Sequence, residues 1–564
     1  MHFSNEFNIP VKFCVYKTAD LLDVVPCEGG VVFLDPGNNR NWNPAPGEYN
    51  TSFDVRVFKP QFIDQLLGRV AGVHRRGLVK ITPQGQVVLD NTLLYHNIEI
   101  SYPAMVEDVR SLDELVRHVS TAAERRLKVR AVGGGYSFSD IAHTDGCFLY
   151  THNLNKVLSL DSDVLKAGTN TENLRKVEAG ITVETLNKAL WAEGKALINQ
   201  GGYDQQTIFG ALCTGTHGSG ITLGSIASAV RSMHILTCDT NRAIRQVQVE
   251  PSDGITDPAA HKARYPKIEL IQDDDVFYSC TVCFGAMGVT YAVVMDVRDS
   301  YWLKEDRIKQ PWSTTKKQLL DGLVRNTKYR HVEVLINPYK ETSVLTFREE
   351  VKATAPSGQR NFIQTELAKV ALLVHMIQQM ANSNPSGVPD LLESALEGTT
   401  DSGVIDRCYE ILNIGPANEM PVVSSEMAID ATDIGKVVVA VEEIISTFKN
   451  RASSDDRYIT SPFSLRFVKA DKGLLSMQYG RDTCMIEVPM LSKTYGLDET
   501  LRRFRAVLEQ KHDGRPHWGQ VLEIDASAVQ KMYPKFDVFK RTYQQLNASG
   551  VFSNEMTRRC GLDG

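Results

Sequence analysis

Residues Gln200–Gly220 read QGGYDQQTIFGALCTGTHGSG, a run in which Gly201, Gly202, Gly210, Gly215, Gly218 and Gly220 interleave with Thr207, Thr214, Thr216 and Ser219. Glycine loses more backbone freedom on folding than any other residue. A stretch this rich in it needs positive φ or a partner pressed against the main chain. The run matches neither the GxGxxG dinucleotide fingerprint nor the GxxxxGK[ST] phosphate loop. Small residues still let a backbone approach a ligand, and amides with nearby hydroxyls hold phosphate oxygens without a basic side chain.

A second glycine-rich turn lies upstream. KVRAVGGGYSFSD (Lys128–Asp140) reads as a strand over Lys128–Val132 that runs into Gly133, Gly134 and Gly135, with Tyr136 next. Two such loops, about 75 residues apart, suit a large, flat, phosphate-bearing ligand gripped from both ends.

Outward from the loops, residues 101–300 alternate short helices and strands. Ser111 and Glu114 form a capping-box pattern, and Leu112, Leu115, Val116 and Val119 recur at helical spacing. A strand ends at Gly180, Thr182 caps a helix carrying Val183, Leu186 and Leu190, and Gly194 stops it. From 301 to 530, strand patterns at 329–339, 464–470 and 482–490 alternate with helical stretches around 366–397, 430–448 and 497–510. Pro462 stands just before a strand, where a missing N–H costs least. Segments 354–361 and 382–390 are loops by composition. Residues 1–96 read as an N-terminal extension with a hairpin over 77–95, to which no function attaches. The whole is an α+β chain.

A length of 564 residues implies two or three domains. The net charge of -6 gives no basic field, which argues against nucleic acid as a partner. No signal-peptide pattern and no run of 18 apolar residues occurs, so the reading is a cytoplasmic protein with no integral membrane segment. The most apolar helical stretch, AKVALLVHMIQQM (368–380), reads as a buried or partly buried helix. Ten cysteines are scattered, and the one CxxC, Cys280 with Cys283, has no second pair nearby. Packed thiols in a strand are expected, and no metal site.

DQQTIFGALCTGTHGSG, together with GGGYSFSD and FGAMGVTYAV (Phe284–Val293), resembles the FAD-binding domain of vanillyl-alcohol-oxidase-type (PCMH-type) flavoproteins. RPHWGQ (Arg515–Gln520) and the later LNASGVFSN resemble the C-terminal part of sugar-1,4-lactone and alditol oxidases, and cholesterol oxidases share the fold. The likeness covers roughly residues 97–300 well and 325–555 in patches. It implies a two-part FAD-binding domain over 97–300 and a substrate domain over 301–530, built on an antiparallel sheet flanked by helices. Residues 531–564 would return to the FAD domain.

The resemblance implies an FAD-dependent oxidoreductase that moves hydride from the CH–OH of an alcohol, sugar lactone or sterol-like substrate to flavin N5, with O2 as acceptor. A tailoring enzyme for oxidative cyclisation or desaturation, a dehydrogenase with another acceptor, and a non-catalytic flavin protein stay open, as does the oligomeric state. The expected cofactor contacts are Gly133, Gly134, Gly135, Tyr136, Ser137, Asp140, Gly201, Gly202, Gln206, Thr207, Gly210, Thr214, Gly215, His217, Gly218, Gly288 and Val289. Many relatives carry, where this chain has Tyr136, a histidine bonded to the flavin. Tyrosine lacks that imidazole, so FAD is expected to be held non-covalently. Lactone oxidases match Gly201 with glycine and plant mitochondrial dehydrogenases with alanine, which favours an oxidase.

Alcohol oxidation by flavin needs a base for the hydroxyl proton and positive potential near the reduced ring. Relatives draw on a Glu-x-Arg strand motif and a lysine after HWG. Here Ser464 and Gln520 replace the glutamate and the lysine, while Arg466 is retained. Both changes read as a loss of charge from the substrate face, and hence as a substrate with fewer hydroxyls or another shape. Arg466 is the expected electrostatic stabiliser. His517 and Glu426 are the two candidates for the base, and His331 and Glu333 share one strand face.

Overall fold

The computed structural model describes residues 103–415, 420–452 and 454–563. Of the N-terminal extension the backbone of its strands is described, and Gly77–Ile81 pairs antiparallel with Val87–Tyr95, the hairpin expected over 77–95. The chain divides into two compact units, Met1–Asn153 and Leu154–Gly564.

In the first unit, β1 (Met105–Asp108), α1 (Leu112–Glu124), β2 (Val129–Val132) and β3 (Cys147–Tyr150) form a parallel sheet of order β1-β3-β2 with its helix. Ser111 Oγ accepts the Glu114 N–H at 3.2 Å. The Glu114 carboxylate reaches back to the N–H of Arg110 at 2.9 Å, one residue beyond the reciprocal capping box. Leu115 and Val119 are buried by the stripe that this start aligns. Gly135 follows β2 with φ +63°, a conformation that side chains resist.

The second unit opens with β4 (Val157–Leu158), β5 (Leu174–Glu178), α2 (Val183–Ala192), α3 (Ile208–Thr214), β6 (Val230–Cys238), β7 (Ile244–Glu250), β8 (Ile268–Gln272), α4 (Asp274–Thr281) and β9 (Val289–Asp296). Their six strands run β4-β5-β9-β6-β7-β8, antiparallel except for the last pair. Thr182 caps α2 through Thr185 N–H at 3.1 Å, and Gly194 beyond it sits at φ +72°. Cys280 lies in helix α4 rather than in a strand, because Asp273 accepts the Val276 N–H at 2.9 Å and starts a helix there. Both CxxC thiols are buried.

An eight-stranded sheet follows. Its elements are β10 (Trp302–Pro311), α5 (Trp312–Leu320), β11 (His331–Asn337), β12 (Thr342–Val351), α6 (Leu367–Ser383), α7 (Val388–Glu397), β13 (Asp401–Arg407), β14 (Val422–Asp430), α8 (Ile434–Lys449), β15 (Phe463–Val468), β16 (Thr483–Leu491), α9 (Leu497–Lys511) and β17 (Arg515–Pro516). The order is β13-β10-β12-β11-β15-β16-β14-β17, antiparallel throughout.

Alternation along these strands sorts the side chains. One face carries Val332, Val334, Ile336, Phe463, Leu465, Phe467, Ile486, Val488, Met427 and Ile429, packed under α5, α8 and α9. Each such side chain contributes about 1.5–3 kcal/mol by leaving water. The stretch 368–380 lies within α6, whose Val370, Ile377 and Ala381 are buried while Leu372 and Met376 stay exposed. Among the described residues no helix is long and apolar enough to cross a membrane.

Candidate active site

The other face of the eight-stranded sheet is ionic. Residues directly opposite in antiparallel strands share a face, and Ser464, Glu487 and Glu426 are opposite in turn across β15, β16 and β14. Glu333 of β11 stands opposite Arg466 of β15, two residues along from Ser464. His331, Arg348 and Glu305 continue the face through β11, β12 and β10. Arg348 is the hub, with Nε 2.6 Å from Glu305 and Nη1 3.0 Å from Glu333. Arg307 adds a second cation, 2.9 Å from Glu305.

The segment after α3 lies across this face. Ser219 Oγ donates to Val332 O at 2.5 Å and accepts the Phe467 N–H at 3.2 Å. His331 Nδ1 bonds Ser219 O at 2.7 Å, and Lys469 N–H donates to Leu223 O. Gly218 has no room for a side chain. A Cβ there would overlap the Gln200 carbonyl and lie 2.5 Å from Asn199 Oδ1. The glycine run is therefore used in part for close approach of backbone to backbone.

Arg466 lies between two carboxylates, with Nη1 3.4 Å from Glu487 Oε2 and Nε 3.8 Å from Glu333 Oε1. Burial leads the influences on the ionisation of all three, yet their side chains keep 22, 16 and 20% exposure. They are enclosed by the sheet and the segments packed on it, yet stay partly open to solvent. Burial would raise Glu333, but Arg348 and Arg466 outweigh it and hold the carboxyl at about 2. Glu487 Oε1 accepts from Ser424 Oγ at 2.9 Å and from Gln520 Nε2 at 3.3 Å. Ser464 Oγ and Gln520 Oε1 are buried with no hydrogen-bond partner among the described residues. The expectation of a face depleted of charge is thus corrected: the register places Glu487 directly opposite Ser464, on the same face as Arg466.

On the same face, His217 Nε2 is 3.3 Å from Glu426 Oε1, and both side chains are buried. His217 Nδ1–H donates to Gly218 O at 2.9 Å. Burial disfavours the imidazolium, but the Glu426 carboxylate more than offsets this and raises the His217 pKa. Burial likewise pushes Glu426 up, and His217 with more distant cations brings it down to about 2. The two form an ion pair.

His517 belongs to the turn after β17. Its N–H donates to Glu426 O at 2.9 Å, and the buried Trp518 anchors the turn through Nε1–H to Leu475 O at 2.7 Å. His517 Nδ1 accepts the Gly519 N–H at 3.0 Å, so the neutral ring carries its proton on Nε2. Burial lowers His517 to about 4. His217, Glu426 and His517 have ligating atoms within 4.8 Å of one another. A metal does not fit them, because the neutral His517 ring has one lone pair already engaged and a proton on its other nitrogen.

The remaining sequence candidates distribute as follows. Gly133, Gly134, Gly135, Tyr136 and Ser137 follow β2 in the first unit, and Asp140 opens a short turn of helix. Thr207 precedes α3, Gly210 and Thr214 lie within it, and Gly215 ends it at φ +79°. Gln206 Oε1 accepts from Thr216 Oγ1 at 3.3 Å. Gly201 abuts Thr216, while Gly202 abuts Ile414. Gly288, at φ +127°, immediately precedes β9, which Val289 begins. In the second unit the tertiary structure brings His217, Glu426 and His517 together, and Ser464, Arg466 and Gln520 around Glu487. Glu487 is not among the site residues expected from the sequence. A glutamate inside the apolar run MIEVP was the signal available.

The description "FAD binding domain" matches residues 103–242 and "D-arabinono-1,4-lactone oxidase" matches 293–560. The chain is 28% identical over 470 residues to an L-gulono-1,4-lactone dehydrogenase of Mycobacterium tuberculosis, covering 82% of this chain and 96% of that one. It is 25% identical to the L-gulonolactone oxidase of Bos taurus, over 80% of this chain and 94% of that one. Its fold superposes on the crystal structure of cholesterol oxidase from B. sterolicum with a TM-score of 0.66 at 13% identity, covering 83% and 96% of the two chains.

Proposed function

We propose that this chain, an FAD-dependent oxidoreductase of the vanillyl-alcohol-oxidase type that acts on CH–OH groups and is related to the sugar-lactone and alditol oxidases, holds FAD non-covalently, oxidises a small-molecule alcohol or lactone and uses O2 as acceptor. The observation that carries this reading is the partly exposed charge cluster on the ionic sheet face, where Arg466 stands between Glu333 and Glu487. FAD, when bound, supplies the hydride acceptor.

The second unit offers what such a ligand requires. Gln200 Nε2, Ser464 Oγ and Gln520 Oε1 are buried polar atoms with no hydrogen-bond partner among the described residues, and such groups are costly unless a ligand or water completes them. Residues 201–218 would hold the cofactor from this unit, and Tyr136 leaves no imidazole for a covalent bond. Arg466 stabilises negative charge as it develops, since a preorganised guanidinium pays no reorganisation cost during the reaction. His517, protonated on Nε2, acts as a hydrogen-bond donor to substrate oxygen rather than as a base. The His217–Glu426 ion pair fixes the loop that carries Gly218.

The purified protein tests the reading directly. It should be yellow, and acid precipitation should leave the flavin in the supernatant. Flavin fluorescence that stays with the denatured chain on a gel would overturn non-covalent binding. Hydrogen peroxide should appear in air with a panel of polyols, sugar lactones and simple alcohols. Anaerobic flavin reduction without peroxide release in air would point to a different acceptor.

A further inference from the structure

We infer that Glu487 is the general base, the residue whose Oε2 takes the hydroxyl proton of the substrate. This rests on the functional reading above and names a residue in that same site.

The geometry is that of a fixed acceptor. Ser424 Oγ–H and Gln520 Nε2–H both donate to Oε1, which sets the plane of the carboxyl. Oε2 has no such bond and lies 3.4 Å from Arg466 Nη1. The side chain is partly exposed, unlike that of Glu426, which is 3% exposed. Ser464 Oγ lies on the adjacent strand directly opposite, buried and without a partner among the described residues; Oε1 of Gln520, in the turn after β17, is likewise buried and without one. Two unpartnered polar atoms flanking one carboxyl mark a place where a hydroxyl-bearing ligand completes the hydrogen bonding.

The surrounding charges tune the group. Burial raises the Glu487 pKa, and Glu426 directly opposite adds to this, because two like charges on neighbouring strands disfavour a second ionisation. Arg466 works against both, as do the Ser424 hydrogen bond and His217. Glu333, on the far side of Arg466, is itself an anion held by Arg348. His517 is neutral and adds no charge. A carboxyl raised toward the working pH is a far better base than the ordinary one. In the step, the O–H bond breaks and its proton passes to Glu487 Oε2. The carbinol hydrogen leaves as hydride to the bound flavin, so the alcohol becomes a carbonyl and the flavin gains two electrons.

Infrared spectroscopy of the FAD-loaded protein across pH, with anaerobic stopped-flow reduction by xylitol, L-gulono-1,4-lactone and a long-chain alcohol, tests this. A carboxylic-acid band should titrate above the ordinary range. It should vanish in Glu487→Gln, move to lower pH in Glu426→Gln and move to higher pH in Ser424→Ala. Glu487→Gln should also slow flavin reduction about a hundredfold or more and remove the acid limb of its pH profile, with Glu487→Asp restoring part. A band and limb that survive Glu487→Gln, or a rate within about threefold of the parent, far below the contribution of a general base, overturn the inference. A parent protein that does not load FAD, or whose FAD none of the three reduces, overturns instead the functional reading beneath it.

Discussion

Glu426 and Glu487 face each other directly across the β14–β16 pair, and their ionisations are driven in opposite directions. Glu426 has His217 3.3 Å away and stays an anion. Glu487 has Arg466 at 3.4 Å, without hydrogen-bond alignment, and is pushed up by burial and by Glu426 itself. One sheet face thus holds a fixed charge beside a titratable one, a division of roles that acid–base sites often use.

Replacing Arg466 with methionine should lower both the flavin potential and the rate of flavin reduction. The loss of a charged hydrogen-bonding group is worth roughly 1.5–3 kcal/mol, or about one to two orders of magnitude in rate. Arg466→Lys should recover only part, since an ammonium cannot reach Glu333 and Glu487 with the planar fork. Anaerobic kinetics with a redox titration measure both quantities, and a folded Arg466→Met with both unchanged would place Arg466 outside the active site.

Gly201→Ala should slow reoxidation by O2 while leaving reduction near the parent rate. The new Cβ would lie 3.1 Å from Thr216 Cγ2 and 3.3 Å from His217 O, tight contacts that the loop absorbs by a small shift. Pairing it with Thr216→Ser removes the Cγ2 methyl and separates two causes. Reoxidation that recovers in the double variant reflects displacement of the His217 loop, and reoxidation that stays slow reflects a methyl in the oxygen path.

Gly218→Ala should be far more damaging than Gly201→Ala. Its Cβ meets the Gln200 carbonyl and Asn199 Oδ1, and main chain cannot give way as a flexible side chain does. Overpacking of this kind typically costs about 1–3 kcal/mol. Thermal unfolding should shift down, and the flavin retained through gel filtration should fall.

Stability should decline as pH drops below neutrality. His517 and His331 are buried neutral, lowered to about 4 and about 3 chiefly by burial. The unfolded chain takes up their protons from pH ~6.5 downward, so stability is lost from there toward those values. Glu426, held at about 2, adds a further loss as pH falls below ~4.3. His217 works the other way: its raised pKa gives a contribution fully present below ~6.5 that is lost as pH rises through the folded value. His234, likewise lowered to about 4 by burial, adds to the loss on acidification. The melting temperature should therefore fall between pH 7 and 4.5, and His331→Asn should flatten that slope; an unchanged slope would count against this account.

Much of the architecture was legible from local signals. Ser111, Thr182 and Gly194 marked helix ends because capping and left-handed geometry are decided within a few residues. Alternation marked β11, β15 and β16 as strands. The CxxC segment misled, since an apolar, β-branched run of that length does not distinguish a strand from a buried helix, and Asp273 tipped it to helix.

By itself, the sequence determined several of the strands and helix ends and which family the chain resembles, because these depend on residue type and spacing along the chain. Only the tertiary structure decided the site's charge. Ser464 alone reads as a lost carboxylate, and Gln520 as a lost cation. Register across β15, β16 and β14 puts Glu487 opposite Ser464 and Glu426 beyond it, while the loop after α3 brings His217 to Glu426 from 209 positions away. Hydrogen bonds between strands set that register, and Coulomb interaction depends on distance through space rather than along the chain.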